Sequence, residues 1–375
     1  MKIWKRKSLR RWLVILGMCC MMNSLSADTF GLFEYKDNGK SITITRYLND
    51  AVGAVEIPST INGKPVTCIG TEAFARCTHP TNIKIPASIT SIGDHAFDTC
   101  DGLTSIILPA SVTSIGIGVF EACVNLTSIT IPNSVTNIGK AAFWSCIELR
   151  GITIPSSVTS IGDYAFHNCG ALTSITIPSG VTCIGDKAFE ECGRLTEISV
   201  NPLNAHYSSL DGVLFNKKQT TLIQCPEGKV GSVTIPAGVI SIGSAAFRDC
   251  KRLTSVTIPN TVTSIGELAF YGCKGLDGVT MPASITGIGK YAFAESSELT
   301  SVTFPASISS IGDHAFAGCP ALTVAHFYGN TPKMGQDVFY QAASDFTVYY
   351  LNGKIGFTSP KWKGYKSEVE RAPQK

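Results

Sequence analysis

The chain has 375 residues, with 31 Lys and Arg against 28 Asp and Glu. A formal charge of +3 with no basic stripe argues against nucleic-acid binding, which needs one. Six of the cations fall in the first 27 residues, which hold no acid, so the rest carries 25 against 28 and is mildly acidic.

Lys2, Lys5, Arg6, Lys7, Arg10 and Arg11 precede an apolar run over residues 12–22. That run is too short to cross a bilayer as a helix. Ser24, Ser26 and Ala27 follow it. The pattern predicts a secretory signal peptide over 1–27, cleaved near Ala27. Lipoprotein processing at Cys19 is the alternative, but Met18 stands where a small residue is needed. No later apolar run reaches membrane length, so no transmembrane segment is expected in the mature chain. Residues 28–54 read as an N-terminal cap. Alternation over 41–45 suggests a strand, and Asp37, Asn38 and Gly39 suggest a hairpin turn before it.

From residue 55 to 345 the chain repeats. Phe recurs every 23 residues from Phe74 to Phe189 and again from Phe247 to Phe339. The interval between those blocks is 58, one coil of 23 and a long one of 35 that holds an insert at 201–229. Every marker Phe has a Gly four residues earlier, from Gly70 to Gly335. Internal repetition of this kind is the signature of a solenoid.

One coil, residues 149–171, shows the logic. Ile152 and Ile154 alternate inward on a short strand, which Pro155 ends because it has no N–H for the ladder. Val158 and Ile161 point in, Gly162 permits a bend, Ala165 and Phe166 suggest a helical or 3₁₀-like turn, and Cys169 closes the coil. One strand per coil in one direction makes a parallel sheet with rungs about 4.8 Å apart. About twelve coils are expected, each stable only against its neighbours. Residues 346–375 read as a C-terminal cap and tail: 346–351 suggest a strand, and 361–375 suggest a fraying polar end.

The segments LTSITIP, SVTSIG and DYAFHNC are similar to the BspA-like leucine-rich repeats of bacterial surface proteins. The opening segment EIPSTINGKPVTCIGTEAF and the insert NAHYSSLDGVLFNKKQTTLIQCPEGK share the resemblance, which covers nearly all the mature chain. It implies a leucine-rich repeat solenoid, a β-rich parallel-sheet superhelix, serving as a scaffold for adhesion or protein interaction outside the cytoplasm.

Fourteen cysteines are the most conspicuous chemical feature. Nine occupy one repeat position: Cys77, Cys100, Cys123, Cys146, Cys169, Cys192, Cys250, Cys273 and Cys319. A one-per-coil line cannot converge on a tetrahedral metal. Stacked Cβ atoms pointing one way make neighbouring disulfides awkward. A buried column of small apolar thiols fits better. Cys68, Cys183 and Cys225 fall outside it. Among six histidines, His95 and His314 share a repeat position many coils apart. No Ser, His and Asp arrangement converges, and the glycines are repeat corners, so neither a catalytic site nor a cofactor is read here.

The outward Ser and Thr of the strands, such as Ser128 and Thr130, resemble an ice-ordering array, although β-branched polar residues also suit any exposed strand. The positions flanking Ala-Phe vary from coil to coil. Trp144, Tyr164, His167, Tyr271 and Tyr291 are the candidate binding surface, since rings on a repeat surface make good anchors. The insert is the other candidate, or a hairpin packed on the stack through Val213, Leu214, Phe215, Leu222 and Ile223. The expected function is non-catalytic recognition of a protein or surface glycan. A self-associating structural role is the alternative, and ice binding a remote one.

Overall fold

The computed structural model describes residues 27–48 and 53–370. The signal peptide and Cys19 therefore lie outside the described residues, Ala27 apart. The architecture is a β-solenoid of parallel stacked coils, about fourteen turns rather than twelve. The extra turns come from the ends. A hairpin of Phe33–Asp37 and Ile42–Tyr47 joins the stack in parallel through Lys64–Ile69. At the other end Thr347–Leu351 and Tyr365–Glu370 extend the sheet by two more parallel strands. The polar segment expected to fray is thus paired as far as Glu370.

Most coils have a front strand, a back strand, usually of two residues, and a corner; the strand expected at Ile152 and Ile154 does not form, and residues 151–155 cross the front without strand pairing. Front strands keep the 23-residue register, as in Ser105↔Ser128. Back strands do the same through Ser114↔Asn137↔Ser160↔Cys183. The front face is not one sheet. It runs as the four strands from Gly53–Glu56 to Ser128–Thr130, then two pairs, then a final piece beginning at Gly278–Thr280. These breaks interrupt the Ser and Thr array that ice binding would use.

The corner differs from the helical turn expected at Ala165 and Phe166. No helix occurs among the described residues. Instead, the residues two before and two after each marker Phe have positive φ, from Glu72 and Arg76 in the first coil to Asp337 and Gln341 in the last. Alternating handedness turns every second N–H toward the next coil. Tyr164, Phe166 and Asn168 donate to the carbonyls of Asp186, Ala188 and Glu190 at 2.9, 2.8 and 2.9 Å. Each left-handed non-Gly residue costs on the order of 1 kcal/mol, and satisfying a buried donor offsets it.

The Phe rings stack through the interior, 5.2 Å apart for Phe143 and Phe166 and 4.7 Å for Phe247 and Phe270. The thiols follow them. Cys169 Sγ donates to the carbonyl of Phe143 in the preceding coil, and Cys100, Cys123, Cys146, Cys192, Cys273 and Cys319 likewise donate to the Phe carbonyl of the coil before. Ser296, which interrupts the Cys column, keeps this bond by donating Oγ to Phe270 at 3.1 Å. Burial pushes these thiols up, Cys192 to about 12, and at Cys100 the bond with Cys123 does so first, so they are inert packing donors.

At the insert the order changes. Tyr207–Leu210 and Val213–Asn216 form an antiparallel hairpin, which passes to Thr221–Gln224 on the back ladder. Asn204 anchors it: buried, it donates to the carbonyls of Pro178 and Val181 and accepts from the N–H groups of His206 and Tyr207. Leu214 packs with the N-terminal core, while Val213 and Phe215 on the same strand pack with the C-terminal core.

Phe166→Ala removes one ring from the stack and is expected to cost about 3–5 kcal/mol. Chemical denaturation checks it, and a loss under about 1 kcal/mol would remove Phe166 from the spine.

Candidate interaction surface

The variable positions all sit on the corner, one before Ala and one after Phe, so they project beside the donor ladder. Side chains after Phe in one coil meet those before Ala in the next. Trp144 and Tyr164 stack at 5.6 Å, and His167 meets both rings edge-on at 5.3 and 5.6 Å. Trp144 and Tyr164 are half-buried, whereas His167 is only 7% exposed. The strip continues into charge. Lys187 lies 5.7 Å over the Tyr164 ring, and its Nζ is 3.5 Å from Glu190. His167 Nδ1 and Nε2 stand 3.8 and 3.4 Å from Glu190 and Glu191. Burial lowers the His167 pKa against the pull of Glu191 and Glu190.

The strip then meets the shortened corner of the long coil. Leu222 aligns with Ile242 on the back ladder. Cys225 follows it after three residues, whereas Phe247 follows Ile242 after five. Cys225 N–H donates to Ala246 as Phe247 N–H does to Ala269, so Cys225 fills the Phe position. Cys250, whose thiol should reach a Phe carbonyl, finds only Cys225 and Pro226 at 3.7 Å. The missing corner leaves a cleft of about 470 Å3 lined by Lys187, Glu190, Tyr207, Glu227 and Arg248 among others.

Side chains span the cleft. Arg248 Nη1 lies 2.8 Å from Glu190 Oε1, joining coils on either side, and its guanidinium stands 5.4 Å over Tyr271. Glu191 N–H, which would otherwise donate to a corner carbonyl, donates to Glu227 Oε1 at 2.5 Å. Burial pushes Glu227 up to about 8, with Asp249 and Glu190 adding to the shift and the Glu191 bond and Lys251 opposing it.

Of the predicted residues, Trp144, Tyr164 and His167 come together, and Tyr271 flanks the cleft on its far side. Tyr291 stands apart: 38% exposed, it stacks on His314 at 4.9 Å. Sequence reasoning missed Glu190, Glu227 and the ion pair to Arg248. It also missed a second group, His95, Asp98 and Glu121, whose ligand atoms lie within 4.8 Å of one another. Their phase in the repeat was the available signal, because His before Ala and acids after Phe share one corner.

Residues 40–170, 136–229 and 224–344 match the model of the BspA type leucine rich repeat region, in six copies. The chain belongs to this family. It is similar to a leucine rich cell surface protein from Faecalibacterium prausnitzii, at 33% identity over 81% of this chain and 89% of that one, with a TM-score of 0.65. A leucine-rich repeat protein from Eubacterium ventriosum (24% identity, 84% and 94% covered, TM-score 0.59) and the pneumococcal vaccine antigen PcpA (22%, 92% and 99%, TM-score 0.67) share the fold. Comparison with curated proteins gives no match. Among the described residues no helix of this BspA-type chain is long and apolar enough to cross a membrane.

The Glu227 shift fixes a pH dependence. The native state holds a proton that the unfolded carboxyl has lost, so stability falls as pH rises from about 4.5 to about 8. Glu227→Gln keeps an acceptor for Glu191 without the charge and is expected to flatten this fall. Urea midpoints at several pH values check it, and an unchanged slope would contradict it.

Proposed function

We propose that the chain is a non-catalytic recognition scaffold, exported by residues 1–27 to the cell surface or medium. It binds a protein partner through the corner strip from Trp144 to Tyr271. The supporting observation is contrast. The corners are near-uniform inside, with Phe, Ala or Val, and Cys, Ser or Ala, yet half-exposed rings and paired charges gather on both sides of the shortened corner of the long coil. Rings provide large contact area with few torsions to order, and cations poised over them add direction. A surface glycan is a second class of ligand for stacked rings, and Trp144 and Tyr164 are the residues it would use. In this reading the buried charges fix the strip's geometry and have no reacting group to serve.

Affinity capture with the secreted chain tests the reading. The combined Trp144→Ala, Tyr164→Ala and Tyr271→Ala variant is expected to keep its melting temperature within a few degrees and to lose the partner retained by the native chain. Retention of the same partner would sink the corner-strip assignment. Concentration-dependent assembly in light scattering, without any captured partner, would favour the self-associating role instead.

A further inference from the structure

The insert breaks the front face as well as the corner. The strands on either side of it, Glu197–Val200 and Gly231–Thr234, do not pair with each other. Glu197–Val200 pairs with Ser174–Ile177, and its other edge is closed by the hairpin. There Ile198 N–H donates to the Gly212 carbonyl and Val200 N–H to Ser209 Oγ, both at 2.9 Å. Among the described residues Gly231–Thr234 pairs only with Leu253–Thr257. Its second edge faces a groove of about 660 Å3 whose lining includes Glu197, Ser199, Asp211, Phe215 and Val233. The break between Leu253–Thr257 and Gly278–Thr280 is different, because those strands remain within 8 Å of each other.

We propose that this groove is a strand-addition site for an extended peptide, which pairs with the free edge of Gly231–Thr234. Three observations select that occupant. A strand edge offers alternating N–H and C=O groups, and another extended backbone matches such a row. Leu210, 44% exposed, gives the groove an apolar side over the buried Val213 and Phe215, which suits every second side chain of a β-strand. Glu197 and Asp211 line it with acid, and the one cation of the lining, Lys229, is committed to the Asp211 carbonyl. The peptide class is therefore alternating apolar and polar with neutral-to-basic charge. The site is separate from the corner strip and stands without it.

The probe is the acetylated, amidated peptide KRLTSVTI, residues 251–258, the segment that already pairs with the opposite edge of Gly231–Thr234. Fluorescence polarisation with the whole mature chain is expected to show saturable binding tighter than about 1 mM. The same peptide N-methylated at alternate amides is expected to bind at least about tenfold more weakly, since it cannot complete the ladder. Ser199→Trp, which fills the groove from its rim, is expected to weaken binding similarly, and the Trp144→Ala variant to leave it unchanged. Absence of binding, or equal binding of the N-methylated peptide, overturns the proposal whether or not the Ser199 variant folds. Self-association of the chain that Ser199→Trp abolishes would assign the groove to a second copy and overturn it too.

Discussion

Every second corner N–H must find an acceptor one coil further along, and most of the structure follows from that requirement. A buried donor without a partner is costly. Alternating left- and right-handed residues aim three donors per corner at the next coil. The close coil spacing this imposes brings the Phe rings into stacking contact and leaves room beside them for a small side chain, Ala or in two corners Val, and for a thiol, a hydroxyl or a methyl group. Where the next corner is absent, a side-chain oxygen substitutes. Glu227 serves Glu191, Tyr365 hydroxyl serves Phe339 at 3.3 Å, and Tyr207 hydroxyl serves Ile184 at 3.1 Å on the back ladder. The caps and the insert thus obey the same rule as the repeats.

The period was plain in the sequence because Phe, Gly and Cys recur at fixed phase, and phase alone specifies a stack. Corner conformation was not legible. Spacing fixes which residues face inward but not φ, and residues as different as Tyr164, Lys187 and Leu268 adopt the same left-handed state there. The neighbour's carbonyls impose it. The thiol column read correctly as packing, yet its donor role shows only where Ser296 preserves the bond. Many recurring hydroxyls are likewise structural. Thr127 donates to Thr104, and Ser157 to Val135.

The candidate surface was half legible. Non-repeating rings marked Trp144, Tyr164, His167, Tyr271 and Tyr291, but spacing could not tell which of them meet. Adjacent coils join the first three, whereas Tyr291 pairs with His314 instead. The cleft beside them depends on two residues missing between Leu222 and Cys225, a small change inside a long insertion that reads as irregularity. Glu227 gave no signal of its own, because its importance comes from burial in that cleft.

The same shortened corner divides the interior. Phe189 ends one ring column and Phe247 begins another, and Leu214 serves one core while Val213 and Phe215 serve the other. If donor-to-acceptor coupling between adjacent corners holds the stack, cooperativity should weaken where that coupling passes to side chains. Native-state hydrogen exchange in rising urea tests this most directly. The account predicts two opening units with a boundary inside residues 201–229. A single unit in which amides on both sides of the insert open together, with one free energy, would contradict it.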